Sequence, residues 1–378
     1  MRFDTLCLHA DGNEKDEWGT ITAAVCQSAT FVHKKFGEPS EFTYSRLSNP
    51  TRAHLENTMA RLEGGAAAFA FSSGMAALDT VMHVLPVNAH VIASEDLYGG
   101  SLRLCRGVTA LSGMSFDFVD TGDLASVKAR IRKDTAAIYV ETPSNPLMMV
   151  SDIAALSALA AEHGLLLIVD NTFLTPYFQR PIALGADIVI HSATKYLGGH
   201  NDVLAGFAVA KTAELAEKIS YYARTTGAAL APWDSFLVER GIKTLALRME
   251  RIGENAKRIA KWLRAQPLVK KVYYTGFEDH AGYQVSIKQA SGFGGMISFE
   301  VDKPSLVEKI LNSVRVIQYA ESLGGVESLI TYPVLQTHAD VPKEERDRRG
   351  INDCFLRLSV GIENADDLIE DLKQAFEA

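Results

Sequence analysis

The chain has 378 residues, 47% of them hydrophobic and 22% charged, which is enough apolar material for one large core with a smaller unit beside it. A net charge of −8 without a basic block argues against nucleic acid or an anionic membrane surface as partner, and Cys7, Cys26, Cys105 and Cys354 form no CxxC pair that would suggest a metal site or a disulfide framework. The opening MRFDTLCLHADG lacks a basic end followed by an apolar run, and no apolar stretch reaches membrane-spanning length, so a cytoplasmic location away from membranes is expected.

In chain order, residues 1–47 show little periodicity and are expected to form an arm. Short apolar or β-rich runs then recur at 67–71, 90–93, 115–119, 136–140, 165–169, 187–191 and 206–210. Segments with helical spacing lie between most of them, such as 75–85 and 153–163. SDIAALSALAAEHG shows the second kind well, capped by Ser151 or Asp152 and ended by His163-Gly164. Such alternation implies crossover units and a mainly parallel sheet covered on both faces. Past Lys211 the rhythm changes. One long helix is expected from about 233 to 264, then strands at 269–274, 296–301 and 355–360, and a closing helix at 365–376. The expected fold is α/β: a large domain over 48–244 with a mainly parallel seven-stranded sheet, and a smaller C-terminal α+β domain over 245–378.

Open parallel sheets bind ligands beyond the carboxyl ends of their strands. After Phe71 comes SSGMAA, where Gly74 and the start of a helix offer a phosphate cradle. No strand-to-helix junction carries GxGxxG, and no P-loop pattern occurs, which disfavours a dinucleotide enzyme. The next strand leads into SEDLYGGS with Tyr98, and Val140 into ETPSNP with Asn145. Val169 is followed by DNTF with Asp170, and His191 by Ser192, Thr194 and Lys195. One rim therefore gathers an anion cradle, an aromatic ring, a carboxylate, hydroxyls and a lysine. Pyridoxal phosphate needs this set: an amine to bond it, a carboxylate for its ring nitrogen, a ring to stack on it and donors for its phosphate.

HSATKYLGGHNDVLAG, VDNTF, ETPSNP, FSSGMAA, YSRLSNPTR, ESLGGVESLITYP and LRLSVGIEN, in this order along nearly the whole chain, resemble the Cys/Met-metabolism family of fold-type I pyridoxal phosphate enzymes. The resemblance implies Lys195 as the lysine that bonds the cofactor and Asp170 as partner of its ring nitrogen. Tyr98 matches the stacking ring and Asn145 the residue near the phenolic oxygen. Gly74, Met75, Ser192 and Thr194 match phosphate ligands, with Thr172 in the cofactor set. Tyr44 and Arg46 match a pair that reaches the phosphate of a neighbouring subunit, which implies a homotetramer built as a dimer of dimers. Arg357, assisted by Ser322, matches the grip on the substrate carboxylate. In the arm, Ala24, Val25 and Cys26 stand where the family commonly shows Pro-Ile-Tyr.

By the same resemblance the substrates are sulfur amino acids, with Lys195 moving α- and β-protons as a neutral amine. Loss of a γ-substituent leads either to thiol addition or to a keto acid and ammonia; loss at the β-carbon gives pyruvate. Gly100 stands where methionine γ-lyases usually have a cysteine. Glu321 resembles the γ-synthases and γ-lyases, where a glutamate can hold the distal ammonium of cystathionine. The reading is γ-elimination or γ-replacement on cystathionine or an O-acylhomoserine. A cystathionine β-lyase, an O-acetylhomoserine sulfhydrylase and a non-catalytic protein of the same fold are the alternatives.

Overall fold

The structure, a computed structural model, describes residues 1–10, 19–339 and 341–377. The apolar runs of the first half are strands: β1 Ala67–Phe71, β2 His90–Ser94, β3 Ser115–Val119, β4 Thr135–Glu141, β5 Leu166–Asp170, β6 Ile188–Ser192 and β7 Gly206–Ala210. They form one seven-stranded sheet in the order β1-β7-β6-β5-β4-β2-β3. Only β7 breaks the parallel pattern, running antiparallel to both β1 and β6. The cause is the connection: residues 193–205 carry no helix, so the chain cannot cross over a sheet face and instead turns back beside β6.

Alternation along the strands feeds two apolar layers. Val140, Val169 and Val189 pack on one side with helix Pro50–Glu63, while Tyr139, Ile168 and Ile190 pack on the other with helix Gly74–Val84. Helix Ile153–His163 begins where the Asp152 side chain accepts from the Ala155 amide at 3.0 Å, and ends at Gly164.

The single helix expected over 233–264 is two, Pro232–Ile242 and Leu245–Arg264. The buried Arg248 guanidinium donates to Gly241 O at 2.7 Å and to Tyr196 O at 2.6 Å, satisfying a carbonyl at the end of the first helix. The second helix spans both halves of the molecule. Met249 and Ile252 join the large core, and Ala256, Ile259 and Leu263 join the small one.

That small core covers a five-stranded sheet in the order β10-β11-β12-β9-β8. Its strands are β8 Val269–Tyr273, β9 Met296–Val301, β10 Gln318–Tyr319, β11 Leu329–Thr331 and β12 Phe355–Ser359. β10 and β11 escape sequence reading because they are two and three residues long. They matter because they present the loop between them, with Glu321 and Ser322, to the large sheet.

Residues 11–18 of the expected arm lie outside the described residues. Phe3–His9, given no element above, is a helix whose Cys7 is buried in the large core. Residues 24–26 are clipped to the next helix: Thr51 Oγ1 donates to Ala24 O at 3.2 Å and accepts from Cys26 N at 2.8 Å, and Asn49 Nδ2 donates to Cys26 O at 3.0 Å. Beyond them the chain doubles back, with Phe31 N donating to Thr43 O at 3.0 Å, and leaves Val32 and Phe36 wholly exposed.

Candidate active site

A cavity of about 350 Å³ opens beyond the carboxyl ends of the large sheet. Every candidate residue named above lines it except Tyr44 and Arg46. The large domain supplies Gly74, Met75, Tyr98, Asn145, Asp170, Thr172, Ser192, Thr194 and Lys195; Glu321, Ser322 and Arg357 come from the smaller sheet.

Lys195 leaves β6 through a turn in which its amide donates to Ser192 O at 3.2 Å. Its Nζ donates to Ser322 Oγ at 2.7 Å. Burial, with the nearby Arg357 charge, pushes the ammonium down to about 8, against the opposing pull of Glu321. The structure thus makes this lysine far easier to deprotonate than a surface one.

Asp170 closes β5. Its Oδ1 accepts from Thr172 N at 3.0 Å and from Thr172 Oγ1 at 2.6 Å, and that hydroxyl in turn accepts from Ser192 N at 2.9 Å. Burial raises its pKa, opposed by the Thr172 bonds and the His191 charge. Behind the sheet, His191 and Glu63 are both fully buried and meet at 2.6 Å, and Asn171 Nδ2 donates to the same Glu63 oxygen at 3.1 Å.

Arg357 is a buried cation on β12. Nη1 donates to Asn145 Oδ1 at 2.8 Å, and Nη2 donates to Ser322 O at 2.9 Å and Thr331 Oγ1 at 3.2 Å. Its buried Nε finds no hydrogen-bond partner among the described residues. Burial lowers the guanidinium to about 10, and among the described residues no carboxylate forms a salt bridge with it. A fixed, desolvated guanidinium with an unmet donor suits a ligand carboxylate.

The cradle is set by close packing. A Cβ on Gly206 would fall 2.2 Å from Ser73 O, and one on Gly74 would fall 2.9 Å from Ser192 Cβ, so β7 and β6 press directly on the turn that starts helix Gly74–Val84. Ser73 caps that helix, accepting from Ala76 N at 3.1 Å. Thr194 Oγ1 donates to Ala205 O at 3.2 Å and accepts from Ala205 N at 3.1 Å, which ties its hydroxyl to the loop before β7. Tyr98 begins helix Gly99–Arg103 with its ring partly exposed at the cavity. The ring rests where Gly100 has no side chain, since a Cβ there would lie 2.4 Å from Tyr98 Cε1.

Eight lining residues were not singled out by sequence reading, and Glu141 and Thr337 are among them. Glu141 ends β4 as Asp170 ends β5, and a carboxylate closing an apolar strand was its available signal. Thr337 comes from a stretch without periodicity. Tyr44 and Arg46 stand apart from the cavity. The Arg46 guanidinium lies 5.5 Å over the Tyr44 ring and donates to Arg224 O at the end of helix Ala213–Thr226.

These residues fit pyridoxal phosphate. They provide an easily deprotonated amine, a half-buried carboxylate, an aromatic ring and a helix start pressed close enough to admit only glycine.

Comparison with known proteins gives the same answer. A family model described as Cys/Met metabolism PLP-dependent enzyme matches residues 4–377. A cystathionine beta-lyase of Lactococcus lactis is 48% identical over 373 residues, covering 99% of this chain and 98% of its own. A cystathionine gamma-lyase of Bacillus subtilis is 46% identical over 377 residues, covering 100% of both. Among solved structures, a cystathionine gamma synthase of Xanthomonas oryzae in complex with cystathionine superimposes with a TM-score of 0.97 at 37% identity, covering 100% of this chain and 98% of that one.

Proposed function

Because the chain belongs to the Cys/Met-metabolism PLP-dependent enzymes, we propose that it acts at the γ-carbon of cystathionine or an O-acylhomoserine, by elimination or by exchange with a thiol. The observation that carries this reading is the joining of Lys195, Asp170 and Arg357 in one cavity, with the substrate-side groups supplied by the smaller sheet. Pyridoxal phosphate, when bound, supplies an electron sink for the carbanion formed at the substrate α-carbon. Asp170 would hold the proton of its ring nitrogen, and Tyr98 would cover its face. Its phosphate would sit at Gly74, Met75, Ser192 and Thr194.

Arg357 would grip the substrate carboxylate, and Ser322, already hydrogen-bonded to Lys195, would keep the amine beside the α-carbon. As a neutral amine Lys195 accepts the α-proton and moves protons at the β-carbon, which its lowered pKa favours. Cleavage at the γ-carbon of cystathionine with water yields cysteine, a four-carbon keto acid and ammonia.

The relatives divide between β- and γ-chemistry, and Glu321 supports the γ-reading. Subunit sharing is part of the proposal. Arg46 and Tyr44 stand away from their own chain's cavity, and the arm exposes Val32 and Phe36, as a surface covered by another copy would. The test is a panel of cystathionine, O-acetyl- and O-succinylhomoserine, homocysteine and methionine, with products identified with and without added cysteine. Pyruvate and homocysteine as the main products from cystathionine would replace the γ-reading with a β-lyase. No product from any of them would leave the fold without the activity.

A further inference from the structure

Glu141 has no part in the roles above, yet it lines the cavity and is buried. Strands β4 and β5 pair it directly with Asp170. Alternation sends both side chains to the face that carries Tyr139 and Ile168, and neighbouring strands lie about 4.7–4.9 Å apart. Two carboxylates side by side on paired strands, projecting into one cavity, do not readily ionise together; one of them takes up a proton.

Their surroundings decide which one holds it. Asp170 has two donors from Thr172, and His191 behind it acts in the same direction. Glu141 has one backbone donor, Tyr98 N at 3.0 Å on its Oε2. The groups that act on it are Asp170 from β5, Asp96 from the loop after β2 and Arg357 from β12, so two anions outweigh one cation. That cation already donates to Asn145, Ser322 and Thr331.

We propose that Glu141 is a positioning residue that carries the shared proton as a neutral acid, leaves Asp170 as the charged member and anchors Tyr98 by its backbone amide. Burial and the Asp170 charge together raise its pKa well above the carboxylate range, in agreement with this placement. The proposal rests on the pyridoxal phosphate reading, in which the Asp170 charge has a cationic ring nitrogen to meet. An ionised Glu141 would compete for that cation and weaken the distinction between the two carboxylates.

The experiment uses the purified, cofactor-loaded protein and its Glu141→Gln and Glu141→Ala variants. Infrared difference spectra of wild type against Glu141→Gln at neutral pH should contain the carbonyl band of a protonated carboxyl group. Gln, neutral and of the same shape, should bind pyridoxal phosphate about tenfold or more tightly than Ala, which releases the Tyr98 amide. Absence of the protonated band, or Gln as damaged as Ala, would overturn the proposal. Wild-type protein that takes up no pyridoxal phosphate overturns the enzymatic reading instead, and the infrared band of that same sample still locates the proton.

Discussion

Lys195 Nζ donates to Ser322 Oγ at 2.7 Å, and Ser322 is held in a left-handed backbone at φ 85°. A serine rarely occupies that region, and it persists only where the surroundings enforce it. Here Arg357 Nη2 holds the Ser322 carbonyl at 2.9 Å. Two residues on, Gly324 at φ 78° passes so close that a Cβ would lie 2.7 Å from Tyr196 N. Lys195, the loop that carries Ser322, and Arg357 therefore form one mechanical unit across the two sheets.

The first prediction concerns that amine. Lys195→Ala should fold, give no turnover with any substrate and bind pyridoxal phosphate only reversibly. In wild type, bonding to the cofactor needs the neutral amine, so its rate should rise through pH 8 and level above it, because burial and Arg357 lower the lysine from 10.5 to about 8. An inflection near the value of a free lysine would remove the case for a desolvated amine. The linkage has a definite sign. Between about pH 8 and 10.4 the unfolded chain holds a proton that the folded one has released, so this group raises stability as pH rises through that window. Wild-type apoprotein should therefore gain on Lys195→Ala over that range in chemical denaturation.

The next prediction tests the cradle. Gly206→Ala places a methyl group against Ser73 O, a backbone atom that cannot rotate away. Overpacking of this kind costs about 1–3 kcal/mol. It should lower Tm and weaken pyridoxal phosphate binding together, since the strand and the helix start must separate. A variant with wild-type Tm and cofactor affinity would show that the cradle is loose.

Arg46 bears on assembly. If it reaches a neighbouring subunit's phosphate, Arg46→Ala should weaken cofactor binding about tenfold to a hundredfold, as loss of a charge-assisted bond does. Mixing Arg46→Ala with Lys195→Ala chains should then restore activity, because a hybrid pair contains one site with both residues intact. Proven hybrids without recovered activity would mean that each site is built from one chain.

How much of this was legible follows from particular residues. The strands of the large sheet were readable because sheets covered on both faces make continuous apolar runs, and the residues that end those runs are the rim. Asp170 and Lys195 stood out that way. Glu141 carries the same signal but reads as the first residue of the ETPSNP segment after Val140. The break at 243–244 was hidden because apolar periodicity runs through it, while its cause, Arg248 reaching Gly241 and Tyr196, depends on tertiary contact. β10 and β11 are shorter than any pattern that alternation can show. Ser322 could be matched to a motif, but its backbone conformation could not be read from neighbours in sequence.

The last prediction concerns substrate choice. Glu321 lines the cavity close enough for its charge to act on Lys195 and Arg357, but its side chain is exposed. A carboxylate facing the distal ammonium of cystathionine from such a rim contributes about 0.2–1 kcal/mol, less than a dry contact would. Glu321→Ala should therefore lower kcat/KM for cystathionine by about two- to fivefold and leave O-acetylhomoserine with sulfide nearly unaffected. A larger fall would mean that another chain covers the rim and excludes water from Glu321. Glu321→Val should shift preference further toward apolar-tailed substrates, because the charge it removes is one that such a tail would leave unpaired. The deciding quantity is the ratio of kcat/KM for cystathionine to that for O-acetylhomoserine in both variants. A ratio that stays at the wild-type value would make Glu321 a bystander and withdraw the support it gives to cystathionine over its smaller relatives.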